Sequence, residues 1–129
     1  MITVELARAI ATAGVLWQPQ AGDRFVIDRD ELHAQVFWIS DLTVELHHFN
    51  DESVLGFNGT TEWALDSVSL DQTLWLPRED QLRSLLGDRL ESVRRTEDGW
   101  LVTFREDGVR RKAGDGDLEC AYARALLAL

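Results

Sequence analysis

Apolar residues recur at two different spacings along the chain, and each spacing predicts a different element. Helical spacing occurs in three places: residues 3–13, residues 77–87 and the segment after Asp117. Pro77 suits the first position of its helix, where a missing N–H costs nothing, and Gly87 suits the end. The last helix is predicted to bury a stripe made of Leu118, Tyr122, Ala125, Leu126 and Leu129.

Between the first two helices, short β-branched and aromatic runs alternate with turn residues. We expect an antiparallel meander in this region, in which the second and third strands pair as a hairpin. A short helix over residues 62–68, capped by Thr61, is predicted to follow. The four strands of the meander are predicted over residues 24–27, 33–40, 43–49 and 54–57.

The C-terminal part of the chain carries a second set of strand signals. Residues 90–96 and 100–105 flank an Asp-Gly turn, which is a strong hairpin signal. Another Asp-Gly pair precedes residues 109–112, whose basic side chains are typical of a polar edge strand. The glycine-rich residues 114–116 are predicted to form a loop before the last helix.

The order of these elements predicts an α+β fold: a mainly antiparallel sheet with N-terminal, central and C-terminal helices packed on it. A length of 129 residues, of which 45% are hydrophobic, fits a single α+β domain over residues 1–129. No window approaches the roughly 18 consecutive apolar residues that a membrane helix needs. Cys120 is the single cysteine, so we expect a cytoplasmic protein without an intrachain disulfide.

Charge is distributed unevenly, although the whole chain has a net charge of −10. Residues 1–77 carry three basic and twelve acidic residues, whereas residues 78–129 carry ten basic and eleven acidic ones. An acidic N-terminal half repels phosphate backbones, so we expect no nucleic-acid partner. Since no apolar window is long enough for a membrane helix, we expect no membrane partner either. Such a surface suits a basic protein partner, and the competing interpretation is that the charge serves only solubility.

The sequence contains no phosphate-binding loop, no dinucleotide-binding fingerprint and no nucleophile elbow, and it predicts no cofactor. Three histidines form the one constellation with metal-binding chemistry. If residues 33–40 and 43–49 pair, His33 lies beside His48, with His47 nearby, in reach of zinc or another divalent ion. However, His47 and His48 are adjacent on a strand and point to opposite faces, which favours ordinary strand histidines.

Tryptophan and acidic residues suggest a partner-binding surface. Trp17 precedes a Pro-containing loop and is predicted to be the most exposed of the five tryptophans, while Trp38 and Trp100 are expected to fill the core. Trp63 and Trp75 bracket the predicted short helix and are expected to pack together. Exposed tryptophans often anchor interfaces, and carboxylates steer basic partners. The candidate partner-binding residues are Trp17, Asp28, Asp30 and Glu31.

Two blocks of sequence, GFNGTTEWALDS at residues 56–67 and LWLPREDQLRSLL at residues 74–86, resemble a known group of proteins. This group comprises short, uncharacterised actinobacterial proteins that often carry the automatic label "pilus assembly protein". The resemblance extends over nearly the full length, including the pattern of Glu119, Tyr122 and Ala125 in the last helix. It implies no established activity, cofactor or catalytic residue.

Acidity, aromatic content and the lack of a catalytic motif together favour a non-enzymatic protein-binding or regulatory module. One form of this hypothesis is an acidic inhibitor of a basic protein. The first alternative is a small enzyme or a ligand or metal binder, whose pocket would use the His/carboxylate end of the 33–49 hairpin. The second is a homo-oligomer that pairs through the Leu-rich last helix.

Overall fold

The predicted α+β architecture is confirmed: three helices combine with small antiparallel sheets of three strands each. The structure, a computed structural model, describes residues 1–40, 45–49, 52–56 and 67–129. Two units can be distinguished within it. The terminal unit comprises Met1–Val15 and Pro77–Leu129, and the middle unit comprises Leu16–Leu76.

The elements of the described residues follow one another in this order: α1 (Val4–Thr12), β1 (Arg24–Ile27), β2 (Phe37–Trp38), β3 (Glu45–Phe49), β4 (Glu52–Gly56), β5 (Ser67–Ser69), β6 (Thr73–Leu76), α2 (Glu79–Leu86), β7 (Leu90–Thr96), β8 (Gly99–Glu106), β9 (Val109–Asp115) and α3 (Leu118–Leu127). Short 3₁₀ turns lie over Asp30–Leu32, Leu70–Gln72 and Gly87–Arg89. Among the described residues, no helix is long and apolar enough to cross a membrane.

In the terminal unit, β7, β8 and β9 form an antiparallel sheet in chain order, as the two Asp-Gly turns predict. Asp107 and Gly108 both have positive φ values, 51° and 78°, which match the right-handed twist of a hairpin. The predicted loop over residues 114–116 is wrong in part. Gly114 and Asp115 belong to β9 and lie opposite Leu101 and Trp100, so the edge strand is longer than its basic residues indicate.

Helix α3 lies against β8 and β9, and α1 and α2 pack on α3. Helix α1 is capped by Thr3, whose Oγ1 accepts a hydrogen bond from the Leu6 N–H at 3.2 Å. Helix α2 ends at Gly87, as predicted, but Pro77 lies one residue before the N-cap Arg78 rather than at the first helical position. The Gln81 side chain accepts from the Arg78 N–H at 3.0 Å, and this bond fixes the helix start in place of the proline.

The buried stripe predicted for α3 is only partly correct. Tyr122 and Ala125 are buried, but Leu118 and Leu126 are half-buried and Leu129 is 38% exposed. Because α3 lies between the sheet and two helices, its small residues are enclosed on more than one side. The additional buried residues are Cys120, Ala121 and Ala123.

The middle unit contains two further sheets, with strand orders β2-β1-β6 and β3-β4-β5. The predicted meander is correct in part, because β1 pairs with β2 and β3 pairs with β4. It is wrong in that β2 and β3 belong to different sheets and β1 also pairs with β6 from the far end of the unit. The predicted strand over residues 33–40 is reduced to Phe37–Trp38, since residues 30–32 form a 3₁₀ turn that ends at His33. The predicted short helix is wrong at its end, because Ser67 and Val68 belong to β5, and residues 62–66 lie outside the described part of the chain.

Tyr122 offers a test of the terminal core through pH. Burial raises the pKa of Tyr122 to about 12 from its ordinary value of 10, and a hydrogen bond with the Glu79 carboxylate contributes further. Because the folded pKa lies above the unfolded one, the associated stability is complete below pH 10 and is lost as the pH rises toward 12. We expect this loss to reach about 2–3 kcal/mol.

Alkaline titration of the tyrosinate absorbance band measures this pKa directly, because Tyr122 is the only tyrosine in the chain. Urea unfolding at the same pH values measures the free energy. Tyr122→Phe should remove the part of the alkaline dependence that the phenol contributes between pH 10 and 12. Titration of the wild-type phenol at its ordinary pKa would contradict the burial of this ring.

Candidate functional site

Trp17 is not the exposed tryptophan that the sequence predicts. Its ring stacks on that of Trp75, with centroids 6.4 Å apart and planes inclined by 5°, and it also contacts Phe25 at 5.7 Å. Its indole N–H donates a hydrogen bond to Asp23 Oδ2 at 2.8 Å. Asp23 is 1% exposed and also accepts from the Gln20 N–H at 3.0 Å. The Pro-containing turn thus folds back and holds Trp17, which is half-buried, against the core of the middle unit.

Trp38 faces solvent, with 58% of its surface exposed, so its predicted place in the core is wrong. It lies on β2, the two-residue strand at one edge of the β2-β1-β6 sheet. Successive side chains of a strand point to opposite faces. Phe37 contacts Phe25 at 5.6 Å and Ile39 is buried, so the residue between them points outward.

Arg24 makes the exposed ring a defined surface feature. Its guanidinium lies 5.6 Å from the centroid of the Trp38 ring, and the two residues are directly opposite on β1 and β2. The Arg24 side chain is also fixed by a hydrogen bond, which its Nε donates to the Leu76 carbonyl oxygen at 3.3 Å. Arg24 is only 7% exposed, so the Trp38 ring is presented over a fixed cation.

The acidic candidates lie in the loop after β1, and three of the sequence-predicted residues meet there. His33 Nε2 lies 3.1 Å from Asp28 Oδ1, and its Nδ1 lies 3.9 Å from Asp30 Oδ1. The Asp30 side chain is fully exposed and Glu31 is exposed beside it. The Asp28–His33 contact orients the imidazole within its own loop, and the outer carboxylates remain accessible.

The hairpin that would bring His33 to His48 does not form. Strand β3 pairs with β4, which places His47 opposite Val54 and His48 opposite Ser53. The side chains of these two histidines lie outside the described residues. Among the side chains that the structure describes, no group of three or more His, Cys, Asp or Glu could hold a metal ion.

Cys120 lies in the first turn of α3 and is 3% exposed. Burial raises the pKa of its thiol, and the neighbouring Asp117 and Asp115 carboxylates add to this effect. Because the thiolate is the reactive form, this cysteine is suited to packing rather than to nucleophilic chemistry.

Comparisons with known proteins add no assignment to this geometry. No known protein family matches the chain, and neither the curated proteins nor the solved structures include a significant match.

Proposed function

We propose that this protein is a non-enzymatic, cytoplasmic protein-binding module whose partner docks on the Trp38 edge of the β2-β1-β6 sheet. The observation that carries the proposal is the exposed Trp38 ring, stacked on a buried arginine. Tryptophan and arginine are the residues most enriched among those that dominate binding energy at protein interfaces. A large ring that is already fixed before binding loses little conformational entropy on association.

The charge of the middle unit indicates the chemistry of the partner. Residues 16–76 carry two basic and eleven acidic residues, a net charge of −9, and the terminal unit has a net charge of −1. Asp30 and Glu31 present exposed carboxylates in the same unit as Trp38. A basic protein is therefore steered toward this unit, and the Trp38 ring supplies the apolar contact.

The alternative of a ligand or metal binder depended on the 33–49 hairpin. Since β2 and β3 belong to different sheets, that hairpin gives it no support. The homo-oligomer alternative uses a different surface, the end of α3, where Leu127 and Leu129 are 37% and 38% exposed.

Affinity capture from host lysate with wild-type protein and with Trp38→Ala tests the proposal. We expect one defined protein to be retained by the wild type and to be reduced at least roughly tenfold by the variant, as for an interface hot spot. Thermal unfolding of both proteins should agree closely, because the substituted side chain is largely exposed.

The matched control is Val109→Ala, which shortens another exposed apolar side chain, in the terminal unit. This variant should retain the partner at the wild-type level. Equal loss in both variants would indicate nonspecific hydrophobic capture, and equal retention in both would refute a Trp38-centred interface. Capture of the chain itself, with self-association in sedimentation, would contradict a basic partner, because the chain has a net charge of −10.

A further inference from the structure

The β7-β8-β9 sheet has one face covered by α3 and another that is rich in cations. Val102 and Phe104 are fully buried on the covered side. Directly opposed residues of neighbouring strands share a face, so the registers define the other side. We call this side the basic face: its side chains are Glu91, Ser92, Arg94, Leu101, Thr103, Arg105, Arg110 and Lys112.

Glu91 is the one acidic residue of the basic face, against four cations. Its carboxylate accepts hydrogen bonds from Arg105 and, at 2.8 Å, from Arg110. These two guanidinium groups, Arg105 first, hold the pKa of Glu91 below its ordinary value. Neither Arg94 nor Lys112 has an ion-pair partner within the described part of the chain. The basic face therefore has a net charge of +3, although the whole chain has a net charge of −10.

A shallow groove runs over the basic face, with a volume of about 550 Å³. Hydroxyl groups of Ser92 and Thr103 lie along it, and Arg110 and Lys112 form part of its wall. These two cations are two residues apart on β9, so their side chains are separated by roughly 7 Å along the strand. Alternate side chains of an extended peptide have the same separation, so carboxylates at every second position match the spacing of these cations.

We infer that the basic face binds an acidic segment of a partner protein in an extended conformation. This surface is separate from the Trp38 edge, and the inference does not depend on the function proposed for that edge. Charge complementarity supports it, because four cations and two hydroxyl groups present hydrogen-bond donors to carboxylates.

The observations favour an acidic polypeptide over a nucleic acid. Single-stranded nucleic acids bind on aromatic rings that stack with the bases. The aromatic residues of this sheet, Trp100 and Phe104, lie on the other face, each beneath the guanidinium of Arg95 or Arg111.

Fluorescence anisotropy with a labelled peptide of alternating glutamate and serine tests the inference at low ionic strength. We expect wild-type protein to bind it, with an affinity that falls as salt is added. The double variant Arg94→Gln, Lys112→Gln should bind roughly tenfold more weakly, because it removes the two cations that lack ion-pair partners. Glu91→Gln should bind more tightly than the wild type, because it removes the carboxylate that competes for Arg105 and Arg110.

The control is the double variant Arg29→Gln, Arg83→Gln, which changes the net charge by the same amount at two exposed positions on other elements. It should bind the peptide with wild-type affinity, and far-UV circular dichroism should show that all variants remain folded. Equal weakening by both double variants, or none by either, would overturn the inference. So would tighter binding of a single-stranded oligonucleotide than of the peptide, or failure of the wild type to bind the peptide.

Discussion

Replacing Glu119 by alanine should destabilise the protein by about 2–5 kcal/mol, because it leaves two backbone donors without an acceptor. Glu119 lies in the first turn of α3, and its two oxygens reach the starts of the other two helices. Oε1 accepts from the Ile2 N–H and Oε2 from the Glu79 N–H, both at 3.0 Å. Ile2 is 2% exposed, so water does not readily replace the lost carboxylate.

Urea unfolding followed by far-UV circular dichroism measures this effect. Glu5→Ala is the matched control, because Glu5 is an exposed glutamate in the first turn of α1. Its loss should cost less than about 0.5 kcal/mol. Glu119→Gln should be intermediate, since an amide keeps one acceptor and turns its NH₂ group toward the other N–H. If Glu119→Ala costs no more than Glu5→Ala, the three helix starts are not joined through this carboxylate.

The second large difference in stability is expected between two variants of the middle unit, in each of which one tryptophan is replaced by phenylalanine. Trp17→Phe should destabilise the protein by about 1–3 kcal/mol, because the buried Asp23 loses the indole donor at 2.8 Å. Trp75→Phe should be neutral or slightly stabilising. The Trp75 indole nitrogen is buried and has no acceptor among the described residues, so its removal relieves an unsatisfied donor.

Both substitutions leave an aromatic ring in the Trp17–Trp75 stack, so the difference between them isolates the hydrogen bond. Urea titration of the two variants and the wild type gives that difference directly. Similar losses in both would show that ring size, rather than the Asp23 contact, controls stability here. Greater loss in Trp75→Phe than in Trp17→Phe would contradict the assignment of the orphan donor.

The hairpins and helix ends of the terminal unit could be predicted from the sequence because their signals are local. Thr3 caps a helix, Gly87 ends one, and each Asp-Gly pair closes a hairpin between neighbouring strands. The middle unit could not be predicted in this way. Strand β1 pairs with β6, with Phe25 opposite Trp75, and no local pattern records a contact over such a separation.

It was harder to predict which side chains of a strand face solvent than to predict where the strand lies in the sequence. The run from His33 to Ser40 is apolar on both faces, so alternation alone does not say that Phe37 points inward and Trp38 outward. His33 lies near Asp30 because the two residues are three positions apart, whereas its predicted pairing with His48 required a hairpin that is absent. Trp38 and Arg24 were missed because their contact depends on the register of β1 and β2.

The basic face shows the same limit. Arg110, Arg111 and Lys112 read as one polar edge along the sequence. In the sheet, side chains alternate between the two faces, so Arg111 lies over the Phe104 ring. Arg110 and Lys112 lie on the opposite face, together with Arg94 of β7 and Arg105 of β8. Such a surface becomes visible only when the registers are known.

Site-specific photo-crosslinking in the host cell tests the central claim, a partner that covers Trp38, most directly. A photoreactive amino acid is placed at position 38 in one sample and at position 109 in a second. We expect one discrete adduct from position 38, whose mass identifies a single basic protein, and none from position 109. No adduct from position 38, or the same adducts from both positions, would contradict a binding surface centred on Trp38.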